Sequence, residues 1–148
     1  MKPKQNNIAA LCIQKARKIK SKEQHENYLC LTEAKNRGFE VKGEFLYQET
    51  SPSKKLHERE EIKSLIEDAK KGLFSTIIFF SLIRAAGDYN KAVVLKTFLT
   101  EEFGIRVISL LERYDSYFFK GDDMTFFEMM YAMQNPDLLL LPELERLV

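Results

Sequence analysis

The sequence predicts a single α/β domain, a three-layer sandwich whose mostly parallel sheet has four or five strands. Two observations support this fold class. Short apolar runs that suit buried strands alternate along the chain with segments of helical periodicity. The length of 148 residues suits one domain. Strands without polar alternation, separated by helices, are typical of an open parallel sheet covered on both faces.

The first strand and helix are predicted near the N-terminus. Ile8–Ile13 is a nearly all-apolar run, as expected for a strand covered on both faces. Ser21 begins a helix, and Gln24 completes a capping box with it. Gly38, after Arg37, ends the helix as a left-handed cap. The apolar face of this helix is expected to consist of Tyr28, Leu29, Leu31, Thr32 and Ala34.

A second strand and helix follow, on either side of a long loop. Val41–Tyr47 alternates as a half-buried strand does. The polar, proline-containing stretch Glu49–Glu60 is predicted to be a mobile loop, and loops of that length are often functional. Gly72 closes the next helix, whose apolar face is formed by Ile62, Leu65, Ile66 and Ala69.

The strongest strand signal in the chain is the run TIIFFSLI, Thr76–Ile83, which is placed centrally in the sheet because it lacks polar alternation. Asp88 is expected to cap a helix that runs to about Glu102. Arg106–Leu111 is predicted as the fourth strand. The resulting alternation of strands and helices favours a parallel sheet with helices on both faces.

The C-terminal segment differs from the rest in composition. Asp122 or Asp123 can cap the Met- and Phe-rich helix MTFFEMMYAM, and Asn135-Pro136 stops it. We therefore expect one domain over residues 1–134 and a short tail over residues 135–148. The tail is acidic and leucine-rich and offers no room for a helix-turn-helix, so sequence-specific DNA binding by this chain alone is not expected.

Composition excludes several classes of function. The formal net charge of +1 gives the whole molecule no strong attraction for nucleic acid or anionic membranes, although a local basic patch is possible. The longest apolar run is far too short to span a membrane. Cys12, Cys30, His25 and His57 do not cluster, so neither a metal site nor a cofactor is predicted. Two reduced core thiols in a cytoplasmic protein are the expectation.

The motifs along the chain resemble those of the N-terminal catalytic domain of the serine recombinases, the resolvase/invertase family. In that family the first strand ends in Tyr-x-Arg-x-Ser, and here it ends in Cys-Ile-Gln-Lys-Ala, residues 12–16. Gln24 and the helix ending AKNRGFEV match the family pattern. Ser51 and then Arg59 match the Ser of the loop after strand two and the Arg that opens the next helix.

A third motif, Leu-Asp-Arg-x-x-Arg-Asp, follows the strongest strand of the family. Here it reads LIRAAGD, residues 82–88, so that Arg84 is retained while Ile83 and Gly87 replace an aspartate and an arginine. The run RVISLLERYDS matches the next strand and its acidic loop. Met124 onward occupies the position of the family's long dimer helix. The resemblance covers roughly Ile8 to Met133.

The resemblance implies a degenerate active site. The strand-one serine of the family attacks a DNA phosphate, and neighbouring arginines neutralise the charge that develops on it. Here the nucleophile position is Ala16, which cannot attack phosphorus, and the first arginine position is the neutral Gln14. Each missing transition-state donor typically costs about 10²–10³ in rate. The expectation is a protein that does not cleave DNA, with Gln14, Ala16, Ile83 and Gly87 as the degenerate positions.

Three polar residues are candidates for phosphate or DNA contact, namely Ser51, Arg59 and Arg84. Ser51 is either a substitute nucleophile or a turn serine before Pro52, and the second interpretation is favoured. Arg59 and Arg84 are either surviving phosphate contacts or arginines in salt bridges, with the two interpretations about equal.

The Met/Phe helix is a candidate interface. Its dimer candidates are Met124, Phe127, Met130 and Tyr131, since Met and Phe are adaptable and common at interfaces. The alternative is that this helix folds back and covers the sheet. A homodimer, or a heterodimer with an active recombinase, is expected, with weak or indirect DNA association and no membrane partner.

Three functional hypotheses follow. The favoured one is an inactive recombinase-like module that dimerises or regulates DNA recombination. The second is a residual recombinase or other phosphate-handling enzyme that uses Ser51 with Arg59 and Arg84. The third, weaker hypothesis is a sensor of small anions or nucleotides built on the two arginines, which no glycine-rich phosphate loop supports.

Overall fold

The computed structural model describes residues 6–13, 21–48 and 55–118 of the chain. They form a five-stranded sheet with the strand order β2-β1-β3-β4-β5. The first four strands are parallel, and β5 runs antiparallel to β4. The predicted α/β class with a mostly parallel sheet is confirmed. The strands are β1 Ala9–Ile13, β2 Leu46–Gln48, β3 Thr76–Phe79, β4 Arg106–Ser109 and β5 Tyr114–Asp115.

Helices lie on both faces of the sheet, in unequal number. They are α1 Lys22–Asn36, α2 Glu60–Lys70, α3 Leu82–Ala86 and α4 Tyr89–Thr97, which continues as a π-helix over Phe98–Glu102. Side chains of α2, α3 and α4 share one core with Ala10, Ile77 and Val107 of the sheet. Side chains of α1 share the other core with the alternate strand residues Leu11, Ile78 and Ile108. Successive side chains of each strand therefore point to opposite faces of the sheet and contribute to the two cores in turn.

The predicted helix signals are confirmed at both ends of α1. The Ser21 hydroxyl oxygen accepts a hydrogen bond from the Gln24 N–H at 3.1 Å. Gly38 has a φ of 83°, a conformation that glycine adopts without steric cost. The cap of α4 is confirmed as well, because Asp88 Oδ1 accepts from the Lys91 N–H at 2.8 Å. Among the described residues, no helix is long and apolar enough to cross a membrane.

The predicted apolar face of α1 is confirmed at Leu31 and Ala34, which pack in the core, and is wrong at Tyr28 and Leu29, which are exposed. Tyr28 is 63% exposed, and the buried stripe is Glu26, Cys30 and Ala34, at the i, i+4, i+8 spacing of one helix face. Small side chains at positions 30 and 34 let the helix axis approach the sheet. The first residue of this stripe, Glu26, is acidic, so a search for hydrophobic residues alone does not find it.

Three strand predictions were too long. The strand predicted over Arg106–Leu111 ends at Ser109. Val41–Tyr47 contains a 3₁₀ turn at Gly43–Phe45, and β2 begins only at Leu46. The run from Thr76 ends as a strand at Phe79, after which Leu82 starts a short helix. Apolar runs buried in a strand and in a helix cannot be told apart by periodicity. Both Cys12 and Cys30 are buried and form no disulfide, and His25 and His57 are exposed.

Candidate functional site

The carboxyl ends of β1 and β3 define the candidate site. These strands are neighbours, but the chain leaves β1 towards the α1 face and leaves β3 towards the face that carries α3 and α4. Such a divergence leaves a crevice at the strand ends, where open α/β sheets bind ligands. Ile83, Arg84 and Gly87 follow β3 directly. Gln14, Ala16, Ser51 and the four dimer candidates on the Met/Phe segment lie outside the described residues.

The two positions after β3 that were predicted to be degenerate have structural roles. Ile83 belongs to α3 and is buried in the core. Gly87 caps α3 with a φ of 118°, and its N–H donates to the Ile83 carbonyl at 2.9 Å. A residue with a side chain is strained in this backbone conformation. The arginine expected from the family pattern would therefore be unfavourable on this turn.

Arg59 lies at the cap of α2 with its side chain fully buried. Its Nη1 donates to the Ala86 carbonyl at 3.0 Å, and its Nη2 donates to Glu61 Oε2 at 3.3 Å. Its Nε has no hydrogen-bond partner among the described residues. The guanidinium thus connects the start of α2 to the end of α3, and a carboxylate compensates its charge.

Arg84 is about one-third exposed and is also paired. Its Nη2 donates to Glu26 Oε2 at 2.8 Å, and its guanidinium lies over the Phe80 ring at 5.1 Å from the centroid. Glu26 is the buried acid at the head of the α1 stripe. Both arginines singled out by the sequence are therefore close to the site, and each contacts a buried carboxylate.

A buried carboxyl that the sequence did not single out holds the start of α3. Glu112 Oε1 accepts from the Ser109 hydroxyl at 2.9 Å and from the Ile83 N–H at 3.3 Å, and Oε2 accepts from the Ser81 hydroxyl at 2.9 Å. Burial raises the pKa of Glu112, and these hydrogen bonds only partly oppose the shift. The network joins the end of β4 to the helix that carries Arg84.

A second acid on the same connection has cationic partners. Asp115 accepts from Arg106 at 2.6 Å and 3.0 Å, and Arg37 Nη1 lies 3.1 Å from its Oδ2. Burial opposes ionisation, but hydrogen bonds and the two positive charges hold the pKa of Asp115 below its usual range. Arg106 also stacks on Tyr117 at 3.9 Å. This cluster fixes β5 to the end of α1.

An open groove of about 760 Å³ lies between α1 and the carboxyl ends of β3 and β4. It adjoins the Arg84–Glu26 pair through Phe80, although neither Arg59 nor Arg84 lines it. Within the described ranges, no three His, Cys, Asp or Glu residues form a group that could hold a metal ion.

The sequence contained a signal for one of the missed acids. Glu26 has the same spacing as Cys30 and Ala34, so a search for the most buried i, i+4, i+8 stripe could have found it. Glu61 and Glu112 carried no such signal, because their burial depends on packing between distant segments.

Comparison with known proteins gives the same architecture. A family model described as "Resolvase, N terminal domain" matches residues 15–146. The N-terminal catalytic domain of TP901-1 integrase is similar in structure, with a TM-score of 0.62, 21% identity, and coverage of 89% of this chain and 97% of that one. A resolvase family site-specific recombinase from Streptococcus pneumoniae gives a TM-score of 0.58 at 17% identity, with coverage of 87% and 86%. No curated protein matched the chain.

Proposed function

Because this chain belongs to the resolvase family, whose N-terminal domain it matches over residues 15–146, we propose that it is a non-catalytic relative of the serine recombinases. It would act in DNA recombination as a dimerising or regulatory module. The family sets the link to recombination, and the chain's own residues support the absence of catalysis.

The observation that carries the proposal is the pairing of both retained arginines with internal carboxylates. Arg59 contacts Glu61 and Arg84 contacts Glu26, so each positive charge is compensated within the protein. Phosphoryl transfer relies on cations and donors aimed at the phosphoryl oxygens. A fully buried Arg59 that also donates to a backbone carbonyl is committed to the fold.

The residues at the other family positions support the same conclusion. Ala16 has no nucleophilic atom, and Gln14 has no charge. Gly87 supplies no side chain and adopts a conformation that disfavours one. Nucleophile and cations would have to be restored together before strand cleavage could resume.

The direct test is a search for a covalent protein–DNA adduct on supercoiled DNA, with an active serine recombinase as the positive control. We expect no adduct from the wild-type chain and none from Ala16→Ser, because the variant restores only the hydroxyl. An adduct formed by the wild-type chain would overturn the proposal. If the adduct were then absent in Ser51→Ala but still formed in the neighbouring Ser53→Ala, the activity would be assigned to Ser51.

The proposed partner is a second recombinase-like subunit, either a copy of this chain or an active family member. Resolvase-family domains generally act as oligomers. The proposed contact is the Met/Phe segment, through Met124, Phe127, Met130 and Tyr131. DNA association would be weak or indirect, and two buried cysteines that form no disulfide suit a cytoplasmic setting.

Light scattering after size-exclusion chromatography tests the homodimer. We expect a dimer mass that falls to the monomer mass when Phe127 and Met130 are both replaced by aspartate. A monomer at every concentration would exclude self-association, and co-purification with an active recombinase would then test the heterodimer.

A further inference from the structure

The two faces of the sheet are not equally covered. Three helices pack on one face, whereas α1 is the only described helix on the other. On the α1 face, Phe80 and Leu110 are only partly buried, and both line the groove. Parallel sheets normally have both faces covered by helices. Among the described residues, this face lacks a second layer beside α1.

The walls of the groove are largely apolar and its rim is charged. Leu29 on α1 is 36% exposed, and Phe118 at the far end is 75% exposed. Arg113 on the rim is exposed and makes no ion pair within the described residues. Exposed apolar side chains that line one concavity mark a contact surface.

The chain itself supplies a segment of matching chemistry. The described residues end at Phe118, which lines the groove, so the following residues emerge at its edge. Residues 119–148 contain six acidic and two basic side chains. The carboxylates that line the groove, Glu33 and Asp115, are paired with Arg37. Arg113 is therefore the cation of the groove that an acidic segment can complement. Within that segment, residues 124–133 contain four Met, two Phe and one Tyr.

Helical periodicity divides these apolar side chains into two stripes. Met124, Phe127 and Tyr131 recur at i, i+3 and i+7 and share one side of the predicted helix. The other side is formed by a second stripe, which consists of Phe126, Met129 and Met133, and Met130 lies at the boundary between the two stripes, next to Phe127. A helix that is apolar on both sides needs two contact surfaces. One dimer contact satisfies only one of them.

We propose that residues 124–133 dock in the groove of their own chain, with the Phe126/Met129 side against Phe80 and Leu110. The side that carries Met124 and Phe127 then remains for a second subunit. Docking within the chain needs only the short connection from Phe118. The inference does not depend on the absence of catalysis. A negative result in the experiment below would leave the adduct assay unaffected, and an adduct would leave the docking inference unaffected.

The test is hydrogen–deuterium exchange of the full chain at two concentrations, with the mass measured in parallel. We expect the amides of residues 124–133 to be protected to the same degree at both concentrations. Leu29→Glu puts a carboxylate in the groove and should accelerate their exchange about tenfold or more. The matched control is Val94→Glu on α4, an exposed position outside the groove, which should leave that exchange unchanged.

Protection of β1 and β3 shows whether each variant is folded. If Leu29→Glu fails that check, Arg113→Glu replaces it, since it reverses an exposed charge on the rim. It should accelerate the same exchange by a smaller factor, which high salt reduces. Three results would overturn the inference: no protection in the wild type, no response to a folded groove variant, or protection lost on dilution together with dimer mass. The last result would assign the groove to a second copy.

Discussion

Glu112 and Asp115 lie three residues apart after β4, and the protein places them in opposite electrostatic settings. Glu112 is fully buried and receives only neutral donors, two hydroxyls and a backbone N–H. Asp115 receives two arginines. Burial raises the pKa of the first carboxyl, while the cations hold the pKa of the second below its usual range. The partner, and not burial alone, decides the sign of the shift.

The difference also separates two structural tasks. Asp115 joins β5 to the C-terminal end of α1, since Arg37 caps that helix and Arg106 begins β4. Glu112 joins the end of β4 to the start of α3, where Arg84 is located. A single short connection thus supports an edge strand with charge pairs and a site helix with neutral hydrogen bonds.

The largest expected effect is that of Asp115→Ala. It leaves Arg106 and Arg37 without their shared carboxylate, and Arg106 is mostly buried. We expect the free energy of unfolding to fall by about 2–4 kcal/mol in urea denaturation. Glu33→Ala is the matched control, because it removes a partly exposed partner of the same Arg37 and should cost about 0.5 kcal/mol or less. Equal losses in the two variants would contradict the role assigned to Asp115.

A smaller loss is expected from Glu112→Ala, about 1–3 kcal/mol, because three donors lose their acceptor. Glu112→Gln should lose no stability at pH 7 and should be more stable than the wild type there, because it removes the charged form that burial disfavours. The amide oxygen can take the place of Oε1, which accepts from Ser109 and Ile83, and the amide nitrogen can donate to Ser81. A Gln variant as unstable as the Ala variant would show that the carboxylate charge is required.

The sequence carried enough information for the sheet and too little for these acids. Apolar runs located β1, β3 and β4, because full burial on both faces leaves a continuous hydrophobic signature. Asp115 meets Arg37 across 78 positions, and Arg84 meets Glu26 across 58. Such pairs form only when distant segments pack together. No local pattern in a single sequence shows which residues will meet in this way.

The candidate site divides in the same way. Ala16 and Gly87 could be singled out from their place in a motif. The burial and pairing of Arg59 could not be predicted in this way, since they depend on packing and on the carbonyl of Ala86 across the fold. The extent of β3 was overestimated for a similar reason, because Ser81 caps a buried helix that continues the apolar run.

The pH dependence of stability separates the two carboxyls further. Asp115 has a lowered pKa, so its stabilisation is complete above the unfolded value near pH 4 and is lost as the pH falls through the folded value. Glu112 has a raised pKa, so stability is lost as the pH rises from about 4.3 through its folded value. Each group contributes a slope of at most about 1.4 kcal/mol per pH unit.

Urea denaturation across pH 3–8 measures both slopes. Glu112→Gln should remove the decline above pH 4.3 and leave the acid limb intact, while Asp115→Asn should flatten the acid limb. A Glu112→Gln profile parallel to the wild type would mean that Glu112 titrates normally in the folded protein.

The smallest expected effect concerns the turn between the two acids. Arg113 has a φ of 54°, a left-handed conformation that costs a non-glycine residue about 1 kcal/mol. Arg113→Gly should therefore raise the free energy of unfolding by about 0.5 kcal/mol, after the entropy of glycine in the unfolded chain offsets part of the gain. Arg113→Ala removes the same charge but keeps the strain, and it should leave stability unchanged. If both variants gained equally, the side chain or its charge, and not the backbone conformation, would be the source of the destabilisation at this turn.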